Sequence, residues 1–196
     1  YKRQIYRVTV EGIENIPKGR GGLIVSNHVS FIDASLLLAS LDRPVRFLMY
    51  RPIYEMPLIN FLAKRIKAIP IDGKDGKDAV IRSLQYAREL IDQGELVGIF
   101  AEGGITRTGE MLPFKNGFES IMKGSSDPIL PTYIDRMWGS IFSFSDNKAF
   151  WKIPKKIPYQ VTIRFGQQMA ASSLALEVEE VVREIGKSIS SSGHIK

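Results

Sequence analysis

The chain has no cysteine, which excludes disulfides, thiol nucleophiles and thiolate metal sites and fits a reducing compartment. It has two histidines, His28 and His194, too far apart in sequence to suggest a zinc site. No apolar run approaches the ~20 residues of a membrane-spanning helix, and no signal peptide is visible. There is no G-x-S-x-G elbow, Walker loop or complete G-x-G-x-x-G, so a serine hydrolase of that type, a P-loop enzyme and a dinucleotide-binding domain lose their usual signatures. Gly73-Lys74-Asp75-Gly76-Lys77 reads as an exposed turn. Residues 191–196 read as a frayed tail.

The 196 residues suffice for one domain, spanning 1–190. Hydrophobic content of 44% and charged content of 24% are ordinary for a globular protein. The net charge of +6 points to an anionic partner: membrane surface, nucleic acid or phosphorylated substrate. The first residue, Tyr1, is not methionine, so the expectation is a domain excised from a longer chain.

Short apolar runs predict strands at Arg7–Val10, Leu23–Ser26, Arg46–Met49, Lys67–Ile71, Leu96–Phe100, Ile129–Ile134 and Val161–Phe165. Helical periodicity is strongest over Asp78–Asp92, with Gly94 as its stop, and over Leu174–Ile189. Shorter helices are expected at Ile32–Leu41, Pro57–Lys64 and Lys115–Lys123. The alternation predicts an α/β fold: a mixed, largely parallel sheet of about seven strands flanked by helices.

The most informative stretch is Ser26-Asn27-His28-Val29-Ser30-Phe31-Ile32-Asp33. His28 is expected at a strand's carboxyl end and Asp33 in the first turn of a helix. A turn between them can fold the carboxylate back onto the imidazole, fixing its tautomer and stabilising the imidazolium. The plainer reading is a histidine that caps the helix or bonds to backbone.

Three further stretches carry chemistry. Phe100-Ala101-Glu102-Gly103-Gly104-Ile105-Thr106-Arg107 runs from a strand into a carboxylate, two glycines and a forked cation, as ligand loops of open α/β sheets do. An ordinary glycine-rich turn with a solvated Glu–Arg pair is the alternative. Arg43 to Asp72 interleaves Arg46, Arg51, Lys64, Arg65 and Lys67 with Phe47, Tyr50, Met56, Leu58 and Phe61. It reads either as the lining of a lipid or acyl groove or as a helix–loop with its basic face in water. Met137 to Tyr159 holds both tryptophans, Trp138 and Trp151, with Phe142, Phe144, Phe150, Lys155 and Lys156. Rings and lysines in an irregular segment suit a bilayer interface; a nucleic-acid surface or a loop packed on the core would share the composition.

Together these pieces resemble the glycerophospholipid acyltransferase family. Asn27, His28 and Asp33 match its first block, N-H-x-x-x-x-D. Ala68-Ile69-Pro70-Ile71-Asp72 fits the second, with Gly73 where an arginine is usual. Phe100-Ala101-Glu102-Gly103 fits the third, F-P-E-G-T-R, with Arg107 two places late. Leu130-Pro131-Thr132-Tyr133-Ile134 fits the fourth. The run E-G-G-I-T-R-T-G is similar to the subgroup fused to acyl-acyl carrier protein synthetases, which reacylates lysophosphatidylethanolamine.

The resemblance implies acyl transfer from a thioester of acyl carrier protein or coenzyme A to a lysophospholipid hydroxyl. His28 would be the base and Asp33 its partner. Asn27, Ser30, Glu102, Gly103, Gly104, Thr106 and Arg107 would contact substrate, with Lys74 or Lys115 among the replacements for the absent arginine. Amides near Asn27–Ser30 or Gly103–Gly104 would hold the oxyanion. Trp138, Phe142, Phe144, Phe150, Trp151, Lys155 and Lys156 would meet the membrane. The resemblance implies no metal or other cofactor, no nucleic acid, work at the cytoplasmic face of a membrane, and fused synthetase or transporter domains in the full chain. A non-catalytic lipid- or membrane-binding module is the alternative from another class.

Overall fold

Leu23, Ile24 and Val25 are fully buried although consecutive side chains of a strand point to opposite faces. Such a strand must be covered on both sides, and it lies in the middle of the sheet. The computed structural model describes residues 5–145 and 157–192. Its strands are β1 (Tyr6–Glu11), β2 (Gly22–Ser26), β3 (Val45–Tyr50), β4 (Ile69–Ile71), β5 (Leu96–Phe100), β6 (Ile129–Asp135) and β7 (Tyr159–Phe165). Its helices are α1 (Asp33–Ser40), α2 (Arg51–Tyr54), α3 (Pro57–Arg65), α4 (Lys77–Asp92), α5 (Gly117–Met122) and α6 (Ala175–Ser192). Short 3-10 turns occupy Ile13–Asn15 and Gly73–Asp75.

The seven strands form one sheet in the order β1-β7-β6-β2-β5-β3-β4. Every neighbouring pair is parallel except β6 with β7. This is the mixed, largely parallel sheet that the apolar runs predict. All seven strands stand within a few residues of their expected positions. The four-residue helix α2 was not foreseen: Pro52 suits its first turn, but so short a segment has no readable periodicity.

Alternation along β2 divides the core. Leu23 and Val25 join Ala87, Leu90 and Ile91 of α4, Phe118 and Ile121 of α5, and Val178 and Val182 of α6 on one face. Ile24 joins Leu36 and Leu37 of α1, with Val45, Phe47, Leu130 and Ile163, on the other. The close of α4 shows how sequence sets an element's end. Gly94, at φ 87°, lets its amide bond to Ile91 O (2.8 Å) while Glu95 N reaches Leu90 O (2.9 Å). These are the two bonds of a Schellman cap, and the left-handed conformation suits glycine. The carboxyl ends of β2 and β5 lie side by side, with Ser26 paired to Phe100. Loops leaving such ends are where an open α/β sheet presents its chemistry.

Candidate active site

His28 follows β2 by two residues and its ring stacks on Phe100, with centroids 4.0 Å apart and planes 11° from parallel. Phe47 extends the stack behind Phe100 at 5.4 Å. The β2–β5 register brings Phe100 beside this loop, so the ring pair follows from parallel pairing. Asp33, in the first turn of α1, bends back across the loop. Its Oδ2 lies 3.0 Å from His28 Nδ1 and accepts from Val29 N (2.7 Å) and Ser30 N (2.8 Å). Its Oδ1 accepts from Ser30 Oγ at 2.6 Å. Asp33 is fully buried, whereas the His28 side chain keeps 19% of its surface. An ionised carboxylate at Nδ1 assigns the proton to that nitrogen, leaving the Nε2 lone pair as the basic position.

Glu102 ties the second loop to the first. Its Oε1 accepts from His28 N at 2.6 Å and its Oε2 from Leu112 N at 2.7 Å. Burial pushes this carboxyl above its usual range; the Leu112 and His28 amides and the charge of His28 pull it back, and the Asp33 charge adds a smaller upward push. Thr106 N donates to His28 O (3.0 Å), and Thr106 Oγ1 accepts from Thr108 N (3.3 Å) and Gly109 N (3.2 Å). Asn27 clasps β6: Nδ2 donates to Ile134 O (3.0 Å) and Oδ1 accepts from Ile134 N (2.8 Å). From α6, Glu179 accepts from Phe114 N (2.8 Å) and Arg183 donates to Met111 O (2.9 Å), fixing the far end of the Glu102 loop.

A cleft of about 670 Å³ opens beside His28. Gly103, Gly104, Arg107 and Lys115 line it, with Asp72. Its apolar lining comes from Leu48, Ile53, Ile71, Val80, Leu84 and Ile99. Arg107 lies over the Phe144 ring, 4.4 Å from its centroid, a cation–π contact that holds the guanidinium at the rim. Gly103 has φ 70°, and a Cβ there would stand 2.5 Å from Lys115 Nζ. Glycine thus gives that ammonium its place at the cleft.

The expected site residues divide into two groups. His28, Gly103, Gly104, Arg107 and Lys115 line the cleft. Asn27, Ser30, Glu102 and Thr106 are buried outside the cleft lining, with Asn27 bonded to β6 and the polar atoms of the other three bonded within the two loops, so they hold those loops in place. Lys74 is exposed and outside the cleft lining, although Gly73 is part of it. The oxyanion expectation narrows as well. The amides of His28, Val29 and Ser30 donate to carboxylates, and Gly103 N donates to Phe100 O. Gly104 N, at the cleft, makes no intrachain backbone bond among the described residues.

Of the aromatic stretch after β6, two described phenylalanines are half-buried and one tryptophan is exposed. Phe142 packs against the core, Phe144 lines the cleft, and Trp138, 38% exposed, covers Gly109. Phe150, Trp151, Lys155 and Lys156 lie outside the described residues. Among the described residues, no group of three or more His, Asp or Glu could hold a metal ion. Val80 and Leu84 went unrecognised as site residues, because helical periodicity marks them as core positions, whereas Leu48, Tyr50, Ile53 and Ile71 fall in the Arg43–Asp72 stretch read as a candidate lipid or acyl groove. Phe100 belonged to the recognised third block, but only the strand register reveals its stacking role.

The sequence model of the Acyltransferase family matches residues 7–135. Over 127 residues the chain is 31% identical to the chloroplastic 1-acyl-sn-glycerol-3-phosphate acyltransferase of Brassica napus, covering 64% of this chain and 36% of that protein. It is 29% identical over 125 residues to the 1-acyl-sn-glycerol-3-phosphate acyltransferase of Bacillus subtilis, covering 63% of this chain and 60% of that one. These matches thus span only about a third and three-fifths of those relatives. The fold is that of the crystal structure of the 1-acyl-sn-glycerophosphate acyltransferase PlsC from Thermotoga maritima, with TM-score 0.70 and 24% identity over 94% of this chain and 73% of that one. The family match, over the region that builds both loops and the sheet between them, shows that this chain belongs to the acyltransferase family.

Proposed function

We propose that this chain transfers a fatty acyl group from a thioester of acyl carrier protein or coenzyme A to the free glycerol hydroxyl of a lysophospholipid. The observation that carries this reading is the His28–Asp33 pair, 3.0 Å apart, beside a cleft lined both by the cations Arg107 and Lys115 and by a set of apolar side chains. A lysophospholipid combines the complementary anionic group and apolar chain.

In the proposed reaction, His28 Nε2 removes the hydroxyl proton as the oxygen attacks the thioester carbonyl. Asp33 holds the ring and stabilises the imidazolium. The tetrahedral oxyanion is met at the glycine turn, where Gly104 N is the available amide. Collapse breaks the C–S bond and expels the thiolate, which takes the proton from the imidazolium. Arg107 and Lys115 hold the acceptor phosphate, and the apolar walls take an acyl chain.

Relatives named 1-acyl-sn-glycerol-3-phosphate acyltransferases support an acceptor of the 1-acylglycerol phosphate type. The finer reading is lysophosphatidylethanolamine. Gly73 stands at the cleft where an arginine is usual, and a phosphodiester carries less charge than a phosphomonoester. Work at the cytoplasmic face of a membrane belongs to the same reading, with attachment peripheral or through segments beyond this chain; no helix among the described residues is long and apolar enough to cross a bilayer.

The test offers purified protein a panel of lysophospholipids with labelled acyl carrier protein and coenzyme A thioesters. The expected result is a diacyl product from at least one pairing, with lysophosphatidylethanolamine preferred over lysophosphatidic acid. Lipid binding without transfer from any donor would replace the enzyme reading with a lipid-binding module.

A further inference from the structure

Helix α3 wears its apolar side outward. Leu58 is 80% exposed, Phe61 68% and Leu62 55%, while Ala63 is the one buried residue of the helix. At 100° per residue, Leu58, Phe61 and Leu62 share one stripe, opposite Ala63 and the half-buried Ile59. A helix packed in the ordinary way would present the reverse. Met56, just before the helix, is 52% exposed and continues the patch.

The same helix is cationic at its far end. Lys64, Arg65 and, just beyond, Lys67 are exposed, and none is ion-paired among the described residues. There is no acidic side chain within α3. Large apolar residues bordered by unpaired cations are the pattern of a helix lying in a lipid headgroup layer: rings and aliphatic chains enter the acyl boundary and cations meet anionic phosphates. The location agrees. Helix α3 packs on α2, whose Ile53 lines the cleft, and Tyr50, at the carboxyl end of β3, both lines the cleft and is 45% exposed.

We infer that α3 is the element by which this protein docks on an anionic bilayer, lying flat with Met56, Leu58, Phe61 and Leu62 immersed and the cleft mouth turned to the lipid. This rests on the reading of a lipid acceptor and names the surface that brings the cleft to it. It names a membrane contact on the outward face of α3, distinct from the aromatic stretch after β6, where Trp138 is also exposed.

Flotation with vesicles of phosphatidylcholine, with and without phosphatidylglycerol, tests it. The Leu58→Glu/Phe61→Glu variant should lose about tenfold or more in vesicle partitioning. It should keep its thermal melting and its turnover of a short-chain lysophospholipid offered below its micelle concentration. Lys64→Glu/Arg65→Glu should weaken binding to anionic vesicles only, and most at low salt. A tryptophan introduced by Phe61→Trp should shift its emission to the blue on vesicles. Undiminished partitioning of the Leu58→Glu/Phe61→Glu variant would overturn the inference. So would light scattering that finds a wild-type dimer split by that variant, since the face would then seat a second copy. Absence of short-chain turnover in the wild type would count against the proposed reaction, leaving the docking result to be judged on vesicles.

Discussion

Asp33 accepts four hydrogen bonds, from His28 Nδ1, Val29 N, Ser30 N and Ser30 Oγ, while fully buried. Asn has nearly the same shape but presents N–H groups where Oδ2 now meets three donors. Asp33→Asn should therefore lower kcat about a thousandfold or more, because the imidazole loses its tautomer and its counter-charge. It should also cost about 1–3 kcal/mol of stability through amides left unsatisfied. Steady-state kinetics and urea unfolding measure the two effects. Glu102 gives a different signature. Its carboxyl lies above the ordinary range through burial, so between the ordinary value and the raised one the folded chain holds more protons than the unfolded chain. Its contribution to stability then falls as pH rises through that window and is level on either side. In Glu102→Gln nothing titrates there, so wild type should lose ground relative to the variant as pH rises from the acid side. Urea unfolding at a series of pH values checks it, and the opposite slope would contradict the assignment. Residue identities were legible at this scale: N-H-x-x-x-x-D nominated the pair that the structure brings to 3.0 Å. Direction was less legible. Glu102 and Thr106 look like ligands in sequence because the same polar atoms serve equally well for tying loops, and only the folded backbone shows which partner they meet.

Elements carry the site by being locked to each other. Asn27 joins the first loop to β6 through both its amide atoms, a contact across 107 residues of sequence. Asn27→Ala leaves a buried N–H and C=O of Ile134 without these partners. It should destabilise by about 2–4 kcal/mol and lower the melting temperature more than its small volume loss warrants. Calorimetry is the direct readout. Gly98 of β5 is another such point, since a Cβ there would stand 2.3 Å from the Phe47 ring behind the His28–Phe100 stack. Gly98→Ala should displace that stack, reducing turnover while leaving helix content intact; circular dichroism beside kinetics separates the two. The strands and long helices were readable in sequence because apolar runs and 3.6-residue stripes report burial directly. The outward face of α3 was not. The pattern Leu58, Phe61, Leu62 announces an amphipathic helix, and periodicity cannot say whether its apolar side meets the protein or something else.

The whole molecule gathers cationic and apolar side chains into one cleft, and sheet topology arranges it. β2 and β5 deliver the two chemical loops, while β3, β4 and α4 supply the walls where a chain can lie. If those walls hold the acyl chain, enlarging one shortens what fits. Leu84→Trp should move donor preference toward shorter acyl thioesters, with little change in turnover of the shortest. A chain-length series measures it, and an unchanged preference would place the acyl chain elsewhere. This cleft was legible only in part: Arg43–Asp72 read as a candidate acyl groove, but the full lining is spread from His28 to Phe144 and becomes one surface only when the sheet closes.

The most direct measurement compares His28→Ala with wild type, using a lysophospholipid and a labelled acyl thioester, with melting temperature and vesicle binding recorded on the same samples. The account predicts that transfer falls about a thousandfold or more while melting and binding stay as in wild type. Near wild-type transfer by the folded variant would contradict it.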